Sequence, residues 1–332
     1  MDVTIKDIAN VAGVSYSTVS KALNNSPLVK ENTKRKIIKI SQEMGYKPNF
    51  AARSLVSNQT KIIGLIWPTI ERIVLSTLVT EISNQINKTS YSMILSVDPV
   101  QTSLETFRRF QVDGIILFEE NNDEFDASRS AAILSYGVMG KDNHTYPIID
   151  PNHEQAMHMA VEHLVMLGHT KIAYIGDLSS IDPMQIQKYK GFKKAIKQHG
   201  LCLDEDSLID TEGLDWYNGY TATGKLFKMT NRPTAVVGGS YDISGGIIRA
   251  MKERKLHIPN DMSIISYDNV PQMANMEIPL TSIGVPIGEL AAEIVKSIIK
   301  LVESEEMNSI DVYSNKMMPK LNLRSSCARP RL

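Results

Sequence analysis

The 332-residue sequence has few of the features that mark secreted, redox-active or membrane proteins. Its two cysteines, Cys202 and Cys327, are far apart and form no metal-binding or redox spacing. No apolar run approaches the ~18 residues that are needed to span a membrane, and the N-terminus lacks the apolar core of a signal peptide. These absences predict a cytoplasmic protein without a membrane partner.

Motifs for catalysis, cofactors and metals are also missing. Residues 219–225 match the glycine and lysine spacing of a phosphate-binding loop, but Leu226 stands where a Mg²⁺-binding Ser or Thr is required. Four histidines between residues 153 and 169 are five or six residues apart, so no pair has the spacing that a metal site on one helix face needs. No nucleophile motif accompanies a His and an Asp. The sequence therefore predicts no enzyme activity, no metal and no cofactor.

Charge is distributed unevenly along the chain, although its net value at pH 7 is only −1. Residues 1–60 carry nine Lys and Arg against four Asp and Glu, a balance of +5, so residues 61–332 sum to −6. A basic N-terminal segment on an acidic remainder is typical of a phosphate-binding module that is attached to a second functional unit.

The basic segment begins with two short helices joined by a tight turn. Thr4, followed three residues later by Asp7, forms a capping-box pattern at the start of an apolar helical repeat. Gly13 suits the left-handed conformation that ends a helix, and Ser15 can cap a second helix by accepting from backbone N–H groups two or three residues on. This pattern predicts a helix-turn-helix, followed by a third helix over residues 31–44.

The second helix has an inward face and an outward face. Its inward apolar residues are Val19, Ala22 and Leu23. The outward side chains should meet base edges in a DNA major groove, and they are Tyr16, Ser17, Ser20 and Lys21.

Specific motifs continue along nearly the whole chain. After the helix-turn-helix come residues 45–49 (Gly-Tyr-Lys-Pro-Asn) and 52–55 (Ala-Arg-Ser-Leu), then residues 167–173, 258–263 and 267–269 (Tyr-Asp-Asn). In these motifs the chain resembles the LacI/GalR (lactose-repressor) family of bacterial transcription regulators. The resemblance implies a two-lobed body, like that of sugar-binding proteins, joined by several crossover strands.

The resemblance also implies a hinge helix over residues 49–56. This segment is too short to be stable alone, so we expect it to form only beside its dimer mate on DNA, with Leu55 entering a base step in the minor groove. The alternative is that Leu55 packs on the body. The predicted DNA-binding residues are Thr4, Ser15, Tyr16, Ser17, Thr18, Ser20, Lys21, Asn24, Tyr46, Asn49, Ala52 and Leu55.

From Lys61 onward, short apolar strands alternate with amphipathic helices, which is typical of parallel sheets with helices on both faces. The predicted strands are 62–67, 91–97, 114–118, 172–175, 235–237 and 263–266, and the predicted helices are 72–88, 154–167, 184–199, 218–229, 242–254 and 287–303. The fold class is α/β: a helix-turn-helix head on a two-lobed, doubly wound body like that of periplasmic binding proteins. The predicted domains are residues 1–48 for the head, 49–60 for the hinge helix and linker, and 61–332 for effector binding and dimerisation.

Ligands of such bodies bind at the carboxyl ends of the strands. Asp268 ends a strand and matches the family's sugar-binding aspartate, although it could instead cap the following turn. Lys188 stands where relatives carry an effector-clamping Arg, and Lys offers a point charge in place of a planar fork. Trp216 is a possible stacking surface. The predicted effector-binding residues are Thr69, Lys188, Trp216, Ser240 and Asp268.

The sequence thus predicts a regulator that represses carbohydrate-utilisation genes. Its predicted partners are double-stranded operator DNA of pseudo-palindromic sequence, a second copy of the chain in a homodimer, and a sugar-like effector between the lobes. Two alternatives use the same two-lobed body: a solute-binding protein and an α/β enzyme. The helix-turn-helix and the missing signal peptide count against the solute-binding protein, and the missing catalytic motifs count against the enzyme. Whether the effector induces, co-represses or is replaced by a protein remains open.

The +5 charge of residues 1–60 predicts strongly salt-dependent DNA binding. For a dimer, log K for operator DNA should fall with log salt concentration with a slope on the order of −5 to −10, because each neutralised phosphate releases a counterion. Fluorescence anisotropy over a salt series measures this slope. A slope near zero would contradict a DNA-binding role.

Overall fold

The computed structural model describes residues 3–46, 59–118, 131–139, 146–304 and 314–331. The chain divides into two compact units, Met1–Thr60 and Lys61–Leu332, which we call the head and the body. The described part of the head contains α1 (Ile5–Ala12), α2 (Tyr16–Leu23) and α3 (Glu31–Glu43). These helices close over a small core in which Ile8, Val19 and Ile37 are fully buried. The predicted helix-turn-helix and third helix are confirmed.

The body folds into two lobes, each built on one six-stranded sheet. Its helices are α4 (Ile73–Ile86), α5 (Val100–Phe110), α6 (His153–Met166), α7 (Pro183–Gln198), α8 (Trp216–Lys228), α9 (Tyr241–Glu253) and α10 (Ile287–Glu303). Its strands are β1 (Ile62–Ile66), β2 (Ser92–Ser96), β3 (Gly114–Phe118), β4 (Ala132–Tyr136), β5 (Ile148–Asp150), β6 (Ile172–Gly176), β7 (Leu208–Asp210), β8 (Ala235–Gly238), β9 (Ser263–Tyr267), β10 (Thr281–Gly284), β11 (Asn315–Lys316) and β12 (Lys320–Asn322).

Both sheets are dominated by parallel pairing. Lobe 1 has the order β11-β5-β4-β3-β1-β2, with every neighbouring pair parallel. Lobe 2 has the order β12-β10-β9-β8-β6-β7, in which only β12 runs antiparallel to its neighbour. In lobe 2, α6 and α7 cover one face of the sheet, and α8 and α9 cover the other. The doubly wound α/β fold class is therefore confirmed.

All predicted strands and helices of the body are present, with ends within two residues of the predicted positions. The sequence did not predict α5 or the strands β4, β5, β7, β10, β11 and β12. Most of these strands are two to four residues long, which is too short for a hydrophobic period to be read.

The chain crosses between the lobes three times, after β5, after β10 and after β11. Asn269, which lies just beyond β9, binds two of these crossings. Its Nδ2 donates to the carbonyl of Gly284 at 3.1 Å, its Oδ1 accepts from Asn322 at 2.7 Å, and its backbone carbonyl accepts from the N–H of Ile287 at 3.1 Å. One residue of lobe 2 thus ties the second crossing to the chain that returns from the third.

Asn269→Ala should lower the free energy of unfolding of the protein by about 2 kcal/mol, because two largely buried polar groups lose their partner. Urea unfolding followed by circular dichroism measures the change. Asn84→Ala is the matched control, since Asn84 is an exposed residue within α4. Equal stability of the two variants would contradict the role of Asn269 at the crossings.

Candidate functional site

Local hydrogen bonds define the ends of α1 and the start of α2 in the head. Thr4 caps α1: its hydroxyl accepts from the N–H of Asp7 at 3.4 Å, and its own N–H donates to the Asp7 carboxylate at 2.8 Å. The Thr4 hydroxyl also donates to the Asp7 carboxylate at 2.7 Å, and this bond, together with that from the Thr4 N–H, holds the pKa of Asp7 below its usual value. Gly13 ends α1 at φ 68°, and the hydroxyl of Ser15 accepts from the N–H of Thr18 at 3.2 Å to begin α2. The predicted caps are confirmed.

The predicted DNA-binding residues differ in their surroundings. Tyr16 is 55% exposed, and Ser17, Lys21 and Asn24 are also exposed. The Ser15 hydroxyl bonds to the hydroxyls of Ser17 and Thr18, and Ser20 is half-buried. Tyr46 packs against the head core. Asn49, Ala52 and Leu55 lie outside the described residues, so their roles stay predictions.

Three of the five predicted effector-binding residues meet at the turn between β8 and α9. Asp268 adopts φ 87°, and its Oδ2 accepts from the N–H of Tyr241, the first residue of α9, at 2.8 Å. Ser240 caps the same helix through its hydroxyl, which accepts from the N–H of Ile243 at 3.2 Å. Lys188 Nζ donates to the carbonyl of Gly239 at 3.1 Å. Asp268 thus stands just beyond a strand and accepts from the first N–H of α9, which precedes it in the sequence, rather than from the turn that follows it.

Lys188 is a buried cation without a close counter-ion. It is 4% exposed, and its Nζ lies 4.1 Å from the ring centroid of Tyr267. No carboxylate of the described residues lies within ion-pair distance of it. Burial lowers the pKa of Lys188 to about 8, while the more distant carboxylate of Asp268 acts in the opposite direction.

The other two predicted residues stand apart from this turn. The Thr69 hydroxyl accepts from the N–H of Glu71 at 3.1 Å in the segment after β1. Trp216 begins α8, is 44% exposed, and stacks on Tyr220 with ring centroids 5.5 Å apart. The Trp216 ring also lies close to Gly245 of α9.

Sequence reasoning missed three aromatic residues at the carboxyl edge of lobe 1. Trp67 follows β1, and Phe118 and Tyr136 end β3 and β4. The ring centroids of Trp67 and Phe118 are 4.9 Å apart, those of Phe118 and Tyr136 are 5.3 Å apart, and those of Trp67 and Tyr136 are 6.1 Å apart. We call this group the aromatic wall. Its signal in the sequence is an aromatic residue that ends each of three apolar runs.

Two polar contacts join the lobes beside these residues. Arg72 Nε of lobe 1 lies 3.8 Å from Asp242 Oδ2 of lobe 2, and Gln272 Nε2 donates to the Thr77 hydroxyl at 3.0 Å. Burial raises the pKa of Asp242 to about 6, and Arg72 opposes the shift. Both contacts must break if the lobes separate at this edge.

The remaining sequence motifs have structural roles. Residues 219–225 lie inside α8 and form no loop. The His169 ring bonds to Thr234, to Ser263 and to the carbonyl of Ala328, at 2.8, 3.1 and 2.9 Å. Within the described ranges, no group of three or more His, Cys, Asp or Glu could hold a metal ion. In the same ranges no helix is both long enough and apolar enough to cross a membrane.

Comparisons with known proteins agree with this arrangement. A sequence model of bacterial regulatory proteins of the lacI family matches residues 4–49, and one of the periplasmic binding protein-like domain matches residues 161–327. Catabolite control protein A of Priestia megaterium is 31% identical over 319 residues, covering 93% of this chain and 95% of that protein. The HTH-type transcriptional repressor PurR of Pasteurella multocida (strain Pm70) is 31% identical over 336 residues, covering 97% and 98%.

A solved structure shows the same fold over the whole length. The crystal structure of the lac repressor dimer bound to operator and the anti-inducer ONPF matches with a TM-score of 0.83 at 24% identity, covering 99% of this chain and 100% of that one. The relatives named above are regulators of transcription rather than enzymes. With its capped helix-turn-helix, its two-lobed body and this identity along nearly its full length, the chain belongs to the lacI family of bacterial regulatory proteins and is a DNA-binding transcription regulator.

Proposed function

We propose that this regulator represses carbohydrate-utilisation genes by placing α2 of each head in the major groove of an operator half-site. The observation that carries the proposal is the exposed face of α2, where Tyr16, Ser17 and Lys21 project from a helix whose opposite face is buried. A tyrosine and a hydroxyl give hydrogen bonds to base edges, and a lysine gives a contact to guanine or phosphate.

We further propose that two copies bind one pseudo-palindromic operator. A single head is small, and two half-sites read by a two-fold dimer give the affinity and specificity that one head cannot supply. The named similar structure is a dimer bound to operator, which supports this assembly. Because the chromosome is where such a protein acts, we place it in the cytoplasm.

The effector site of the proposal lies between the lobes, at the carboxyl ends of the strands. Lys188, Ser240 and Asp268 meet there, although they come from α7, from the segment before α9 and from the end of β9. The buried ammonium of Lys188 and the more distant carboxylate of Asp268 offer a donor and an acceptor to a polyhydroxylated ligand. Similar structures include a cellobiose complex and a ribose complex, which supports a sugar-like effector. A solute-binding protein would need no helix-turn-helix, and an enzyme would need a catalytic group that these contacts do not provide.

Tyr16→Ala should weaken operator binding by about 1 to 3 kcal/mol and change the preferred bases within the half-site, because Tyr16 projects from the recognition face. Selection of operators from a randomised DNA pool, followed by sequencing, measures both effects. Tyr217→Ala is the matched control, since Tyr217 is a 63% exposed tyrosine of the body. If the Tyr16 variant selects the same sequences as the unsubstituted protein, α2 is not the reading helix.

Asp268→Asn should leave operator binding intact and abolish the response to ligand. Asn tolerates positive φ and keeps an acceptor for the N–H of Tyr241, so the fold is retained while the negative charge is lost. Operator binding measured with mono- and disaccharides, purines and sugar phosphates tests this. The control is Asp206→Asn at an exposed acid of lobe 2. A normal response in the Asp268 variant would place the effector site elsewhere.

A further inference from the structure

A second polar groove lies on the body, outside the proposed effector site. It has a volume of about 490 Å³ and is formed by the facing sides of α6 and α7 together with the end of β11. None of Lys188, Ser240 and Asp268 lines it. We call it the crossing groove, because it lies beside the first and third crossings between the lobes. Its polar and charged lining includes Asn152, Glu154, His158, Lys194, Gln198 and Lys316.

Close packing of two helices builds the groove. Gly191 of α7 lies directly against α6, where a Cβ at position 191 would be 2.8 Å from the Glu154 Cα. Lys194 and Gln198 follow at three and seven residues along the same face of α7, so they stand beside the first turns of α6. The polar side chains of the groove are therefore held on two packed helices and a strand.

The cations of the groove come from both lobes. Lys194 of lobe 2 pairs with Glu154, whereas Lys316 of lobe 1 is exposed and has no carboxylate of the described residues within ion-pair distance. Two lysines against one glutamate leave a balance of +1 in the lining. Lys190 and Lys197 lie within one turn of Lys194, are exposed and are likewise unpaired within the described ranges. The groove is thus a positive site on a body whose total charge is negative, and it attracts anions.

Asn152 adds a hydrogen-bond donor without a partner. The residue is 9% exposed, and its Oδ1 accepts from the N–H of Gln155 at 3.4 Å. Its side-chain NH₂ group makes no hydrogen bond to any residue that the structure describes. Buried amide groups normally find acceptors, because leaving a donor unpaired costs its desolvation energy. An anion in the groove supplies such an acceptor.

The groove also touches the connection between the lobes. The N–H of Met317, which follows Lys316, donates to the carbonyl of Asp150 at 2.8 Å and so joins the third crossing to the first. Burial lowers the pKa of His153, and the charges of Lys188 and Lys316 add to this effect, so the charge of Lys316 reaches the start of α6. A ligand that contacts Lys316 and α7 together holds lobe 1 to lobe 2 at this side.

We propose that the crossing groove binds a small organic phosphate monoester, whose phosphate lies between Lys194 and Lys316 and accepts from the Asn152 amide. Two lysines suit a dianion, and an ammonium is a common phosphate-binding group. The volume falls in the range of small-molecule sites and exceeds what one phosphate ion fills, which leaves room for an organic part beside His158 and Gln198. Glu154 does not oppose the anion, because Lys194 neutralises it. The proposal does not depend on the effector assignment.

Hydrogen exchange of the full chain with glycerol 3-phosphate locates the site. We expect slower amide exchange over residues 152–158, 191–198 and 314–318, because a bound ligand stabilises the closed state of these segments, and no change over residues 240–244. Calorimetry should show tighter binding of glycerol 3-phosphate than of inorganic phosphate or succinate, and no binding of glycerol. No binding, or protection confined to residues 240–244, would overturn the site, and equal affinity for inorganic phosphate or succinate would overturn the monoester.

Lys316→Gln and Lys194→Gln should each weaken binding of glycerol 3-phosphate about fivefold or more, because each removes a charged donor. The matched control is Lys228→Gln at an exposed lysine of α8, on the other face of the lobe 2 sheet, which should bind normally. Full affinity in the Lys316 variant, or equal loss in the control, would contradict the proposal. The exchange measurement on unsubstituted protein decides the outcome even if a variant fails to fold. Operator binding of the unsubstituted protein is measured separately, so a failed groove and a failed regulator give different results.

Discussion

The hydrogen bonds of two adjacent residues, Asp268 and Asn269, connect the start of α9 with the crossings between the lobes. The Asp268 carboxylate holds the first N–H of α9, and Asn269 holds the chain at the second and third crossings between the lobes. A ligand that changes the partner of Asp268 therefore acts one peptide bond away from the segments that set the relation of the lobes. The positive φ of Asp268 restricts which residues can stand at this turn, because few types other than Gly, Asn and Asp adopt that conformation without strain.

The energetic scale of the contacts between the lobes suits a switch. The hydrogen bond of Gln272 and Thr77 is half-buried and contributes about 1 kcal/mol. The ion pair of Arg72 and Asp242 is 3.8 Å long and largely buried, so the cost of removing its charges from water offsets much of their attraction. Coupling between a ligand and a distant site is typically about 1 to 3 kcal/mol. A ligand with a modest preference for one lobe arrangement can therefore change its population, whereas a dry and extensive interface would resist this.

Local chemistry explains which features were predictable from the sequence. Thr4, Gly13 and Ser15 end or begin helices through bonds to residues that are close to them in the sequence. The head was therefore predictable in detail. Lys188 and Asp268 were identified through the family resemblance. Their hydrogen bonds to Gly239 and Tyr241 were not predictable, because these bonds depend on the order of the strands in the sheet. The aromatic wall was missed because, in a sequence, an aromatic residue that ends an apolar run cannot be told apart from an aromatic residue of the hydrophobic core. Only the parallel arrangement of β1, β3 and β4 brings its members together.

The three crossings also constrain the order in which the protein can be completed during synthesis. Lobe 2 is not finished when its main strands have been made, because β12 must still pair with β10. The Ser326 hydroxyl donates to the carbonyl of Ile264 and accepts from the N–H of Thr281, so residues far along the chain close the sheet. Lobe 1 likewise needs β11 beside β5. The nascent body therefore carries unpaired strand edges at β5 and β10 until residues 315–322 have been made, and such edges are prone to pair with other chains before the sheets are complete.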